Sequence, residues 1–506
     1  MQMSIIWNFP LFTVVLSLFS GVLCMMLPAR SARNYTIAYE SVLIVMVSCV
    51  LGYAINTGKA FTYPMGEFPA PWGNEIRAGV LEALIALLFL IVLMCSILAG
   101  YHFLCKDIDE SKQNLYFSLL NLMTAALMAM AWTNDIFTGY VFLEILTLTS
   151  CGILIVREIG RTTLAAVRYM IMNLVGSGLF LLGVVLLYDI SGHLLMVPMR
   201  ESLASVAADP SSIPALSLSI GILTIGLGIK SGMFPFHFWM PDTYGWATPT
   251  SGSVLSSLVS KAYLFLLFKI YIRTIGVDVL RQTPILKILF ILGICGMVIG
   301  SVSAMRASTI NQMVAFSSAA QIGYIYMGIG LGTFAGFNAA LFQIFAHAAT
   351  KSLLFLTTPY LAEVSGDSLK FHELQGSGRR DTLAGFFFTV GSLSMIGIPI
   401  FAGFASKLIF GQAAIMTAQP YKILLVMIAL AVSSLLNALY FIRTLIRIYS
   451  DSGDTSKPSP KQAIRFDRGR AGYILAGIIL TTGNIFLGMF SWVISDMIYR
   501  GLGMFL

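Results

Sequence analysis

Charge is scarce in this chain. Only 11% of its 506 residues are Asp, Glu, Lys or Arg, against 57% hydrophobic, and the mean hydropathy is +0.85. That composition excludes the several soluble domains such a length would otherwise suggest. The six cysteines, Cys24, Cys49, Cys95, Cys105, Cys151 and Cys295, are scattered with no Cys-x-x-Cys pair. Their spacing builds no iron–sulfur cluster and suits small apolar packing residues. There is no Gly-x-Gly-x-x-Gly after a strand pattern and no Walker loop, so nucleotide binding has no support. No cofactor and no metal centre is expected, and the basic balance calls for no nucleic-acid partner. The opening stretch, MQMSIIWNFPLFTVVLSLFSGVLCMML, lacks a basic leader and a small-residue cleavage site, so it reads as a first span.

What is present is apolar sequence in pieces of about 20 residues, the length of a membrane-crossing helix. Fourteen such spans are expected, at 5–27, 36–56, 79–104, 115–132, 135–157, 165–190, 214–240, 246–275, 284–305, 310–332, 335–361, 383–412, 421–449 and 471–500. The fold class is therefore an all-α polytopic membrane protein in the cell membrane. An even number of spans puts both termini on one side. Loops after odd-numbered spans carry most of the basic residues, from Arg30 and Arg33 to Arg443, Arg447 and the cluster Lys457 to Arg470. The opposite face holds Lys59, Arg77, Arg200, Lys269, Arg273, Arg281, Lys287, Lys422 and Arg500. An excess of roughly two to one places the first face in the cytoplasm and both termini outside. The polar stretch 450–470 reads as a basic linker near anionic lipid.

Two spans carry proline and glycine where a plain helix would not: GIKSGMFPFHFWMPDTYGWATP, with Pro235 and Pro241, and SMIGIPIFAGFASKLIF, with Pro399. Proline removes a helical hydrogen bond, and a membrane tolerates the freed carbonyls only where they face protein or water. Two breaks about five helices apart suggest two repeats. The expected organisation is helices 1–3 over 1–114, a first repeat over 115–275, a second, inverted one over 284–449, the linker 450–470 and a last helix over 471–506. Broken helices in inverted repeats are a transporter device.

Within these spans lie Glu144, Lys230, Lys261, His347, Lys351 and Lys407. A charge at the bilayer centre costs at least roughly 2.5–3.5 kcal/mol, and repeating that cost at similar depth points to moving charge. Lys230 and Lys261 stand too far from their span ends for snorkelling, which suits Lys269 and Lys287 instead. His347 and Lys351 are one turn apart and share a face. Glu82, also apolar-flanked, reads as a structural group outside the row. A desolvated lysine binds its proton less tightly and a nearby carboxylate restores the affinity, so such a row can load and release protons. Thr147, Thr149, Ser231, Ser257, Ser260, Ser317, Ser318 and Thr350 are the expected hydroxyl bridges.

At these residues the chain resembles the antiporter-like membrane subunits of respiratory complex I, the Mrp-type cation/proton antiporters and the membrane-bound hydrogenases. The stretches that carry the likeness are FLEILTLTS, GIKSGMFPFHFWMPDTYGWATPTSGSVLSSLVSKAY, AFSSAAQIGYIYMGIG, FAHAATKSLLFL and LQGSGRRDTLAGFFFTVGSLSMIGIPIFAGFASK, in family order over residues 140–410. The resemblance implies fourteen helices with two inverted five-helix repeats. It implies Glu144 paired with Lys230, Lys261 central on span eight, His347 and Lys351 on a broken span eleven, and Lys407 handing the proton outward near the outer end of span twelve. PDTYGWATPTS departs from the Ala-His-x-Ala-Pro pattern of many members, which leaves the cytoplasmic inlet near 242–250 undefined. The chain stops soon after span fourteen, unlike the most distal complex I subunit with its long lateral helix.

The function expected is that of a proton- or cation/proton-translocating subunit in a multisubunit complex with other membrane subunits. The chain shows no redox centre of its own, so energy would come from a redox module among its partners or from a counter-ion gradient. The alternative is an Mrp-type Na+/H+ antiporter subunit with no redox partner. A structural scaffold, whose charges only tie helices together, is the reading from outside transport.

Overall fold

The computed structural model describes residues 5–68, 73–450 and 468–505. The basic linker falls almost wholly outside them. In chain order the helices are α1 (Phe9–Met26), α2 (Ala29–Thr57), α3 (Val80–Asp107), α4 (Glu110–Trp132), α5 (Ile136–Ile155), α6 (Gly160–Ser191), α7 (Met196–Val206), α8 (Ile213–Ser231), α9 (Met240–Trp246), α10 (Pro249–Val254) and α11 (Ser260–Lys269). They continue as α12 (Val277–Gln282), α13 (Ile285–Met305), α14 (Ile310–Gly330), α15 (Phe334–Glu363), α16 (Ser377–Arg380), α17 (Thr382–Ile396), α18 (Ala402–Ile415), α19 (Pro420–Tyr449), α20 (Arg468–Met489) and α21 (Ser491–Gly503). An antiparallel hairpin joins β1 (Phe61–Pro64) to β2 (Glu75–Ala78), with Phe61 opposite Ala78 and Pro64 opposite Glu75.

The chain is an all-α polytopic membrane protein. Among the described residues twelve helices are long and apolar enough to cross a membrane. Two of the expected spans have another character. Residues 310–330 form α14, which carries more small and polar side chains, and 382–415 divide into α17 and α18. The last span also kinks, between α20 and α21.

Local chemistry sets these limits. Asp135, Thr309, Thr333 and Asp381 accept backbone N–H groups at the starts of α5, α14, α15 and α17, satisfying donors that a helix leaves unpaired. α13 and α14 cross closely because Gly293 and Gly323 face each other. A Cβ on Gly293 would lie 2.3 Å from the Met327 nitrogen. Small residues at a crossing let membrane helices approach without a hydrophobic drive between them.

The 249–275 span and α15 stand at the centre, buried all round, while α1, α2, α6 and α19 present apolar side chains outward. The central pair carries Lys261, His347 and Lys351. Within 249–275 the α-helical path widens to π-helix at Leu255–Val259 and Ile270–Ile275, a local form that often marks functional sites. Span eleven departs from expectation. α15 is one continuous helix of 30 residues with Pro359 inside it, so the breaks belong to spans seven and twelve alone among the lysine-bearing helices.

Candidate ion-translocation site

The row begins at the first break. α8 ends one residue past Lys230 because Gly232 turns into the left-handed region (φ 81°), where a side chain is strained. The Lys230 ammonium is fully buried, 3.8 Å from Glu144 Oε1. It donates to Thr147 Oγ1 at 2.8 Å and lies 5.5 Å from the Tyr263 ring centroid. Glu144 is less enclosed. Its side chain is 24% exposed, on the α5 face that also shows Phe137, Val141 and Leu148.

Hydroxyls lead on from there. Thr147 Oγ1 and Tyr263 Oη are 3.1 Å apart. Tyr169 stands beside Tyr263 and Ser150, and Tyr244 beside Ser260. Ser260 Oγ accepts from Lys261 Nζ at 2.9 Å. The Lys261 ammonium also donates to the Ser256 carbonyl at 2.6 Å, inside the π-helical turn.

Serines join Lys261 to Lys351. Ser256 Oγ and Ser318 Oγ are 3.0 Å apart, and Ser318 Oγ donates to the Val314 carbonyl at 3.2 Å. That same carbonyl accepts Lys351 Nζ at 2.8 Å, and Lys351 also donates to Ser317 Oγ. A single backbone oxygen of α14 thus gathers Ser317, Ser318 and Lys351. His347 lies within electrostatic reach of both lysines. Neither of its ring nitrogens has a partner among the described residues.

Two connections reach Lys407. His347, Gln321, Gln343, Thr350, Ser394 and Lys407 line a small cavity with about 10 Å³ open to the centre of a water molecule, room for about one water. The other is made of direct contacts. Tyr440, beside Ser317, donates to Asn437 Oδ1 at 2.5 Å. Asn437 Nδ2 donates to the Met395 carbonyl at 3.1 Å, and Lys407 Nζ lies 3.5 Å from that carbonyl and 2.5 Å from the Ile396 carbonyl. The Lys407 ammonium therefore folds back onto the broken end of α17 instead of reaching toward the far end of α18. The unpaired carbonyls of a helix C-terminus carry about half a negative charge, which draws it there.

Of the expected bridges, Thr147, Ser260, Ser317, Ser318 and Thr350 make contacts in or beside the row. Thr149 bonds only carbonyls of its own helix, Ser231 turns to Tyr326, and Ser257 Oγ has no partner among the described residues. Sequence reasoning misses the tyrosines, Asn437 and Asn484. Asn484 donates to Thr350 Oγ1 at 2.7 Å and accepts from the Ala402 nitrogen. A carboxamide in an apolar run is the same kind of signal as the lysines, and it would have found both asparagines. Lys269 corrects another expectation. It does not snorkel but is fully buried, donating to the Ala131 and Thr133 carbonyls where α4 ends. Glu82 is buried and ion-paired with Arg77, away from the row.

Beside the 242–250 loop, Asp242 pairs with Arg168 at 2.6 Å and Arg157 donates to the Trp246 carbonyl at 2.6 Å. Hydroxyls follow inward from the loop. Thr250 donates to the Ser96 carbonyl, Ser96 and Ser253 are 2.8 Å apart, and Ser253 donates to Ser352, next to Lys351, at 2.9 Å.

The chain is similar over nearly its whole length to known proteins. It is 29% identical to NADH-quinone oxidoreductase subunit N of Desulforudis audaxviator, covering 98% of each chain. It is 24% identical to a subunit of the Na+/H+ antiporter of Bacillus subtilis, covering 94% of each. In fold it matches a chain of the membrane-bound sulfane sulfur reductase, an archaeal respiratory membrane complex, with a TM-score of 0.85 at 22% identity over 98% of this chain and 97% of that one. Residues 133–436, which hold every member of the row, match the family model described as NADH:quinone oxidoreductase/Mrp antiporter, TM, and the chain belongs to that family.

Proposed function

We propose that this chain is a proton-translocating membrane subunit of a complex I-like or hydrogenase-like redox pump, working with other membrane subunits. The observation that carries the reading is the series of buried polar groups that runs from Glu144–Lys230 by Thr147, Tyr263, Tyr169 and Tyr244 to Ser260–Lys261, then by Ser256–Ser318 to Lys351, and by Ser317, Tyr440 and Asn437 to the carbonyl that Lys407 approaches. The unpartnered Tyr169 Oη, Ser257 Oγ and His347 nitrogens are the kind of buried groups that water bridges.

In this reading protons enter from the cytoplasm beside 242–250 along Thr250, Ser96, Ser253 and Ser352, pass laterally between the lysines, and leave outward past Lys407. Both termini lie outside. The two broken spans, each tied to a lysine, support a pair of repeats over 115–275 and 284–449. Glu144–Lys230 acts as the switch. At 3.8 Å the pair is close enough to stabilise a charged lysine, and a small movement of the carboxylate shifts that lysine toward releasing its proton. The partly exposed Glu144 sits on an apolar face, and a carboxylate facing lipid is costly, so a partner subunit covers it.

The test is driven proton uptake by the assembled complex in sealed vesicles. Lys230→Ala and Lys261→Ala should each abolish it while the complex still assembles, and near-normal uptake in both would sink the relay. The similarity to a Na+/H+ antiporter subunit over 94% of the chain supports a second reading, cation/proton exchange without a redox partner. Exchange of sodium against protons with no electron donor present would select it.

A further inference from the structure

On the face opposite the basic loops, positive residues are few, as the charge rule for membrane proteins expects. Six of the nine there are Lys59, Arg77, Arg200, Lys269, Arg273 and Arg500, and the structure gathers those six in one place. Lys59, Arg77, Arg273 and Arg500 line a wide, open cleft between the ends of α2 and α21, the hairpin and the π-helical turn Ile270–Ile275. Arg200 lies against Gly276 at its edge and donates to the Phe505 carbonyl. Lys269 lies buried behind it, within electrostatic reach of Arg77 and Arg273.

No acid lines the cleft among the described residues. Glu82 pairs with Arg77 from behind, and Asp496 pairs with Arg500. Arg273 spends its Nε on Asn134, and Lys59 makes no ion pair among the described residues. Glu75 and Glu82 also stand within electrostatic reach of Arg273. The cations outnumber these carboxylates, and like charges brought together repel, so the vestibule keeps an excess of positive charge that an anion would offset. Arg77 is held in place by Glu82, the Met504 carbonyl and the Phe505 ring, which fixes the rim in advance.

We propose that this vestibule binds a phosphate-bearing anion, and that its size and its position at the membrane surface suit the headgroup of an anionic phospholipid. Lysine and arginine hold phosphate oxygens through charge-assisted hydrogen bonds, and arginine's fork matches a phosphate. The site is separate from the lysine row, so the proposal does not depend on the transport reading.

The test uses the purified complex, depleted of lipid and titrated with mixed micelles of phosphatidylglycerol, with micelles of phosphatidylcholine, and with inorganic phosphate. The wild type should bind one anionic ligand more tightly than the double variant Lys59→Gln/Arg500→Gln, by about 30-fold for two cations. These two side chains are exposed at the rim, so folding should be unaffected, and Lys287→Gln on the same face should bind as wild type. A difference seen with phosphatidylglycerol assigns the site to lipid, and one seen only with inorganic phosphate assigns it to a free anion. Equal binding by wild type and double variant in both arms overturns the proposal.

Discussion

The two broken helices solve the same problem differently. At the first, Lys230 has a carboxylate 3.8 Å away and a threonine hydroxyl at 2.8 Å. At the second, Lys407 has no acid beside it among the described residues and rests on the Met395 and Ile396 carbonyls. A carboxylate can move or be neutralised, whereas the end of a helix is fixed. The first arrangement suits a group whose proton affinity must change during turnover. The second offers only a fixed dipole, with no mobile partner to change its hold on the ammonium. Lys269, on the end of α4, shows that carbonyl caps alone are also used structurally in this chain, so the carboxylate and the continuity of contacts are what set the row apart.

Among the variants that compare the two breaks, removing the carboxylate should have the largest effect. Glu144→Gln leaves Lys230 buried without its counter-charge, a loss of about 3–5 kcal/mol, and driven proton uptake should fall at least about 100-fold. Activity within a few-fold of wild type would mean the pair is dispensable and the contrast between the breaks is empty. Lys407→Met comes next. The carbonyls at the end of α17 lose an interaction of about 1–2 kcal/mol, and uptake should fall roughly tenfold with assembly retained. If Lys407→Met proves more damaging than Glu144→Gln, the roles of the two breaks are reversed. Ser318→Ala should have the smallest effect. It removes one hydroxyl between Lys261 and Lys351 at a cost of about 1 kcal/mol, so a fall of about five-fold is expected, read as the initial rate of vesicle acidification. An unchanged rate would move the lateral path away from Ser256 and Ser318.

The row itself was legible in the sequence, because a charge in an apolar run stands out at any position and Pro235 and Pro399 announce their own breaks. Depth and direction were harder to read. Lys269 looks like a snorkelling residue near a helix end, but its partners Ala131 and Thr133 lie more than 130 positions earlier. Lys407 lies past its break in sequence, yet its flexible stem carries the ammonium back to the broken end. Span eleven, expected broken, stays continuous because nothing near His347 and Lys351 removes a backbone donor; its proline comes later, at Pro359. The tyrosine bridge through Tyr169, Tyr244 and Tyr263 depends on three different helices meeting, which no local pattern encodes.

The most direct test of the transport account is the charge-swapped double variant Glu144→Lys/Lys230→Glu, assayed for driven proton uptake in the assembled complex. The swap can restore an ion pair between α5 and α8 but takes the ammonium away from Thr147 and the first break. The account predicts a stable, assembled complex with uptake lost. Uptake close to wild type would show that the charges only tie helices together, and would contradict it.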